Sequence, residues 1–248
     1  MGSGNKIVHI LKALAKNPYE YGVTELSDII GCGKSGTHKH LGILVEEGLV
    51  TQLKNKKYCL GLSAYLIGKA YEDHIGIAKF CRPHLERLRD KTEENASFGM
   101  WIDDEVTMLY KIESRQAVRV VGGIGGTRPI NATAIGKTLA AYIRPDTLMS
   151  IIEKRPLERF TKNTIVDIDA FFKELALIRE RGYAISDEEF SEGTIGIGVP
   201  VFNSQEKVWA AISLGAPKIR MTEDKLASAI EMVKATAEDI SQEYCHGL

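Results

Sequence analysis

Residues 23–60 read VTELSDIIGCGKSGTHKHLGILVEEGLVTQLKNKKYCL, and this stretch decides the architecture. It reads as two short helices joined by a tight turn, then a small β-ribbon. Thr24 can cap the first helix, and Leu26, Ile29 and Ile30 give it an apolar side. Gly31 stops it, and Gly31-Cys32-Gly33 lets the backbone reverse sharply. The second helix covers about 34–47 and ends at Gly48. Thr37, Leu41 and Leu44 repeat with the helical period and form its inward stripe. At about 100° per residue, Ser35, Lys39 and Gly42 fall on the opposite face, flanked by Gly36, His38 and Ile43. That face is small, polar and cationic, with no acid before Glu46. A helix that lies in a DNA major groove needs small residues for close approach and donors for phosphates and base edges. Residues 49–53 and 57–60 read as strands around Lys54-Asn55-Lys56. Lys54, Lys56 and Lys57 at a ribbon tip suit phosphate contact beside the groove. The pattern is a winged helix-turn-helix; a helical hairpin with a solvated lysine loop is the alternative.

The chain of 248 residues is long enough for two small domains, and its formal net charge of -1 carries no global nucleic-acid signature. The asymmetry is local: lysines 34, 39, 54, 56 and 57 face only Glu46 and Glu47 in that segment. Such a balance fits a protein that binds DNA through one module and does something else with the rest. Cys32, Cys59, Cys81 and Cys245 make no CxxC pair and suggest neither a zinc site nor a disulfide framework. Cys81 with His84 is the nearest approach to a metal pair, and no metal or cofactor is expected. Reduced thiols, no apolar run near the ~20 residues of a membrane span and no signal peptide imply a cytoplasmic protein without membrane partners.

Upstream, residues 5–16 form an amphipathic helix with Ile7, Ile10, Leu11 and Leu14 inward. Downstream, 62–75 reads as a helix with Leu66, Ile67, Ala70 and Tyr71 on one side, and 77–93 as another. From Ser97 the period changes. Strands are expected at 97–102, 106–113 and 117–121, then a glycine-rich loop at 122–129 and a helix at 134–142. Asp146 and Asp169 are the expected caps of two further helices. Strands at 183–186, 195–202 and 208–214 precede a long terminal helix that begins at Thr222. The order implies an α+β domain: one mostly antiparallel sheet with helices outside it. The expected division is a winged domain at 1–61, a linker helix at 62–76 and a second domain at 77–248.

The winged segment resembles the start of the IclR family of bacterial transcription regulators. Lys34-Ser35, His38-Lys39, Leu41 and Glu46-Glu47-Gly48 stand in that family's order. The remainder resembles the family's GAF-like effector-binding domain. The matching residues are Arg82-Pro83-His84-Leu85 with Leu88, Arg128-Pro129, the run from Ala132 to Lys137, Arg179 to Tyr183 followed by Asp187-Glu188-Glu189, Pro200-Val201-Phe202 and Ala210 to Ser213. The resemblance implies DNA contacts from Lys34, Ser35, Gly36, His38, Lys39, Lys54, Lys56 and Lys57. It also implies effector contacts from Ala117, Val120, Arg128, Ala134, Ile135, Ser186, Asp187, Gly196, Ser213 and Gly215. Many family members have Cys where Gly196 stands, a hydroxyl residue where Gly215 stands and an acid where Ser186 stands. Both glycines enlarge the pocket and remove polar handles.

The Gly136-Lys137-Thr138 run imitates the end of a phosphate-binding loop, but the required preceding glycine is Asn131. The glycine run at 122–126 lacks the third glycine of GxGxxG. No nucleophile and base can be assembled in the second domain, where the histidines are His84 and His246. What remains is a small-molecule pocket, with a helix start at Ala134 and Ile135 suited to an anion and Arg128 suited to a carboxylate. The expected function is a ligand-responsive regulator that binds a double-stranded, near-palindromic operator. It works as a homodimer, or as a homodimer paired into a tetramer, and answers to a small, carboxylate effector that can be aromatic. The alternatives are an enzyme converting a small acid with a winged head attached, and a winged head that contacts only protein.

Overall fold

The computed structural model describes residues 3–120 and 126–247, so the glycine run at 122–125 lies outside the described residues. The chain divides into two compact units, Met1–Ile77 and Ala78–Leu248.

The first unit holds α1 (Ser3–Leu14), α2 (Val23–Ile30), α3 (Lys34–Glu46), an antiparallel ribbon of β1 (Val50–Gln52) and β2 (Tyr58–Leu60), and α4 (Leu62–Ile75). Ile10, Leu14, Leu26, Ile30, Leu41, Leu44, Val50 and Tyr58 form its core. Two local expectations are corrected. Thr24 is not the cap of α2, because Gly22 is extended there and donates its N–H to the Glu25 carboxylate at 2.6 Å. Thr24 sits inside the first turn, where its carbonyl accepts the Ser27 hydroxyl. Ile29 is exposed, since Leu26 and Ile30, four residues apart, already fill the buried stripe of this two-turn helix. Gly31 takes a left-handed φ of 58°, which a glycine adopts without steric cost and which turns the chain into α3. On α4, Leu66, Ile67 and Tyr71 are exposed.

In the second unit, α5 (Ile77–Thr92) leads to β3 (Asn95–Ile102), β4 (Glu105–Ile112) and β5 (Thr127–Arg128). Helices α6 (Ala134–Ala140), α7 (Pro145–Lys154) and α8 (Ile168–Arg181) follow, then β6 (Ala184–Asp187), β7 (Thr194–Phe202), β8 (Val208–Pro217) and α9 (Glu223–Gly247). The strands form one antiparallel sheet in the order β5-β4-β3-β8-β7-β6. The architecture is the expected α+β one. No strand forms at 117–120, because side chains take the carbonyls that a ladder would use. Asn95 Nδ2 and Lys111 Nζ donate to Val120 O, and Arg220 donates to Val118 O. Helix α7 starts on Pro145 with Arg144 before it, and Asp146 is in its first turn. Asp167, not Asp169, caps α8 by accepting the Ala170 N–H at 2.8 Å.

The two faces of the sheet are built differently. One carries small residues, and α6 lies on it so closely that a Cβ at Gly198 would come within 2.5 Å of Ala134 O. A Cβ at Gly99 would come within 2.9 Å of Ile135 Cδ1. All residues of α6 are buried, sealed from outside by Leu148 and Ile152 of α7 and by Phe171, Leu175 and Ile178 of α8. On the other face Phe98 packs on Trp209 at 5.6 Å, and Trp209 stacks on Tyr244 of α9 at 4.1 Å between ring centroids.

A Cβ at Gly136 would stand 2.2 Å from Pro129 O, a backbone atom that cannot rotate away. Gly136→Ala should therefore cost about 1–3 kcal/mol in urea unfolding. Gly215→Ala, whose Cβ meets nothing within 4 Å, should change stability by less than ~0.5 kcal/mol.

Candidate functional site

Helix α3 buries Thr37, His40, Leu41 and Leu44 and leaves Ser35, His38, Lys39, Gly42 and Ile43 exposed. Thr37 fixes the start of the helix by donating its hydroxyl to Gly33 O at 3.2 Å. Lys34 is also exposed. Gly36 turns partly inward: a Cβ there would meet Cys32 Sγ at 2.7 Å, so this glycine keeps the helix close to its own turn. In the ribbon, Lys54 and Lys56 are exposed and Lys57 is half-buried. The tip between the strands is a defined turn, with Leu53 N–H donating to Lys57 O and Lys56 in the left-handed region. The segment thus presents a polar helix face and a lysine-tipped ribbon, the combination that contacts a groove and its flanking phosphates.

The second site lies on the small-residue face of the sheet. Strand register places Asn95, Gly215, Gly196 and Ser186 in one row across β3, β8, β7 and β6. The neighbouring row is Lys111, Ser97, Ser213 and Gly198 across β4, β3, β8 and β7. A bulge controls the first member of this row. Phe98 pairs with Tyr110 but Gly99 pairs with Met108, so Leu109 is the extra residue. The extra residue brings Lys111 onto the same face as Met108, although the two are an odd number apart.

Helix α6 covers only part of these rows, and a cavity of about 140 Å³ remains beside it. Of the expected effector contacts, Val120, Arg128, Ala134, Ile135, Ser186, Gly196, Ser213 and Gly215 line this cavity. Ala117 and Asp187 do not. Ala117 is exposed on the segment before Val120, and Asp187 is bound by Lys218 Nζ at 2.8 Å. A Cβ at Gly196 would press on Ala134 Cβ at 3.2 Å, whereas one at Gly215 would enter open space. Sequence reasoning missed Asn95, Ser97, Met108 and Lys111, which also line the cavity. The alternation Asn95, Ser97, Gly99 on one strand face signals a floor of small polar residues; for Lys111 the bulge hides the signal.

The electrostatics of the cavity favour an anion. Among the described residues no Asp or Glu lines it, while Arg128 and Lys111 do. Arg128 Nη2 lies 3.5 Å from Met108 Sδ. Burial depresses the Arg128 guanidinium, which stays cationic as arginine does in proteins. Lys111 Nζ lies 3.1 Å from the half-exposed Glu113 carboxylate.

Lys137, from the apparent phosphate-loop sequence, has a different task. It is fully buried, with Nζ 2.6 Å from Glu189 and 3.4 Å from Glu174. It ties α6 to α8 and to the segment after β6. His84 is likewise engaged, with Nε2 2.6 Å from Glu243 and Nδ1 2.8 Å from Arg87. Cys81 is buried, which pushes its thiol up and leaves it a poor nucleophile or ligand. Among the described residues no three of His, Cys, Asp and Glu gather where a metal would sit.

Residues 69–242 match the family described as bacterial transcriptional regulator IclR C-terminal, and residues 5–54 match the IclR helix-turn-helix domain. The HTH-type transcriptional regulator KdgR of Escherichia coli is 31% identical over 237 residues, covering 95% of this chain and 90% of its own. An IclR transcriptional regulator from Silicibacter superposes with a TM-score of 0.90 at 24% identity, covering 98% of this chain and 96% of its own. An IclR homologue from Microbacterium hydrocarbonoxydans, complexed with 4-hydroxybenzoate, superposes with a TM-score of 0.80 at 21% identity, covering 98% and 99%.

Removing the Lys137 charge would strand two carboxylates under α6. Lys137→Met should lower unfolding free energy by about 3–5 kcal/mol, read from chemical denaturation. A loss below ~1 kcal/mol would show that Glu174 and Glu189 do not depend on it.

Proposed function

The chain belongs to the IclR family of bacterial transcription regulators, which are DNA-binding regulators and not enzymes, and we propose that a small organic acid governs its hold on a near-palindromic operator. It binds that operator as a homodimer or a dimer of dimers in the cytoplasm, since symmetric half-sites call for a two-fold protein. Lys39, Ser35 and His38 face bases or phosphates; Lys34, Lys54, Lys56 and Lys57 face phosphates, and Gly36 lets the helix start approach the groove. The wing and the exposed face of α3 support this reading, because both present donors, residues 49–60 hold no acid and the α3 face holds none before Glu46.

One observation carries the acid: a partly buried arginine lines a small cavity that, among the described residues, no carboxylate lines. Arg128 grips the carboxylate with its two-pronged guanidinium. The 4-hydroxybenzoate of the Microbacterium homologue, itself a small carboxylate, supports the same ligand class. Regulation then requires that the acid bind the DNA-competent and DNA-released arrangements unequally.

Lys39→Ala should weaken binding to DNA from upstream of the chain's own coding region about tenfold in a gel shift. The thermal shift produced by an acidic effector should be untouched in that variant. Arg128→Ala should show the reverse pattern. An undiminished thermal shift in Arg128→Ala would remove the carboxylate, and unchanged DNA affinity in Lys39→Ala would remove the recognition face.

A further inference from the structure

A second hollow, of about 520 Å³, lies where the outer edge of the sheet runs short. β6 is the outer strand and pairs with β7 only from Ala184 opposite Gly198 to Asp187 opposite Ile195, whereas β7 runs on to Phe202. Beyond Gly198 the edge of β7 is left without a strand, between the end of α8 and the side of α9, and all three elements line the hollow. Val199, Pro200 and Ala237 are buried and form an apolar floor. The rings of Tyr142 and Phe202 meet edge to face at 5.9 Å in the wall. No residue lines both this hollow and the cavity at Arg128. Proline is tolerated in a strand where its N–H side needs no partner, and Pro200 stands on this open edge, so a further strand could not complete a ladder there. A small ligand suits the place better than a peptide strand.

The rim is cationic. Arg179 and Arg181 come from the last turn of α8 and Lys234 from α9, while Glu238 is the one carboxylate among the described lining residues. Arg181 is committed: Nε donates to Tyr183 O at 2.7 Å, and Nη2 lies 2.8 Å from Glu174, which Lys137 shares. Arg179 is not. Its Nη1 donates to Ala141 O at 2.7 Å, and its other donors make no hydrogen bond among the described residues. Lys234 Nζ is 5.1 Å from the centroid of the Tyr183 ring and 3.4 Å from Glu231, whose side chain is largely in solvent and holds it weakly. The charge left to spend is therefore that of Arg179 and Lys234, which approach one hollow from two different helices.

We propose that this hollow is a second ligand site, separate from the cavity at Arg128, and that it takes a phosphate monoester bearing a flat ring. A carboxylate offers two oxygens in one plane. A phosphate offers three acceptor oxygens and close to two charges, so a guanidinium from α8 and an ammonium from α9 can both be met. The ring lies on the apolar floor against Tyr142 and Phe202. The volume falls in the range of about 300–1,000 Å³ of ordinary ligand pockets, well above what a bare phosphate fills. The site also sits at the far end of α6, because Arg179 holds the Ala141 carbonyl that ends this helix, while Ala134 and Ile135 at its start line the other cavity.

Calorimetric titration of the full chain with phenyl phosphate, phenol and inorganic phosphate tests this. Phenyl phosphate should bind, and each of the other two should bind at least about tenfold more weakly. Arg179→Gln should weaken phenyl phosphate about tenfold, and Lys234→Gln about threefold. Arg128→Ala should leave its affinity within about twofold, since that arginine lines the other cavity. Arg179→Gln also loses the hold on Ala141 O; if it melts early by circular dichroism, Lys234→Gln decides, because its partner Glu231 stays in solvent. Absence of phenyl phosphate binding overturns the proposal. So does inorganic phosphate binding as tightly, or a loss in Arg128→Ala with none in Arg179→Gln and Lys234→Gln. None of these results touches the acid at Arg128, which is read with Arg128→Ala and a carboxylate.

Discussion

The second domain depends on how closely α6 approaches the sheet. A helix normally packs on a sheet through side chains from both, about 10 Å apart. Here a Cβ at Gly198 would strike the Ala134 carbonyl of α6, one at Gly99 would strike the Ile135 side chain, and one at Gly136 of α6 itself would strike the Pro129 carbonyl. The helix therefore sinks, and all its residues are buried. A sunken helix brings a cation inside, because Lys137 cannot reach solvent, and Glu189 and Glu174 must then follow it. The stability of this arrangement is not the issue, since buried pairs gain little over apolar replacements. What the pair provides is placement: α6, α8 and the stretch after β6 meet at one ammonium. The same sinking shapes the cavity. The glycines that receive α6 continue in register into Gly196 and Gly215, which α6 leaves partly uncovered. The hollow is the part of the small-residue face that the helix does not fill.

Much of this was legible from residue order, and the losses have specific causes. The amphipathic stripe of α3 is readable, with Thr37, Leu41 and Leu44 inward, whereas Ile29 on α2 and Leu66, Ile67 and Tyr71 on α4 fit an apolar stripe by period and are exposed. Caps were read less well. Thr24, Asp146 and Asp169 are good capping types, yet Gly22, Arg144 and Asp167 hold the positions. Capping chemistry names suitable residues within a turn and does not choose between neighbours; a proline at the first helical position or a glutamate reaching back decides. Of the strand expected at 117–121, residues 117–120 form none, for a non-local reason. Asn95 and Arg220, distant in sequence, take carbonyls of that segment together with Lys111, and only the fold brings the first two there. Family resemblance located most of the cavity but not its floor. Lys111 and Met108 cannot share a face by alternation, and one bulged residue makes them do so.

On the reading proposed above, the two candidate sites would use charge in opposite ways, which fits a nearly neutral chain. On α3 and the ribbon, lysines stand in solvent, where each is weak and screened but many phosphates are available. Affinity there is a sum over contacts, so position matters less than sign. In the cavity, Arg128 is partly desolvated, and a single partner counts for more because low dielectric strengthens the attraction. Desolvation also raises the demand for geometry, since a misplaced carboxylate loses water without gaining the guanidinium. If the cavity takes an acid, as proposed above, sign would select the class of ligand there, and the shape left beside α6 would select among its members.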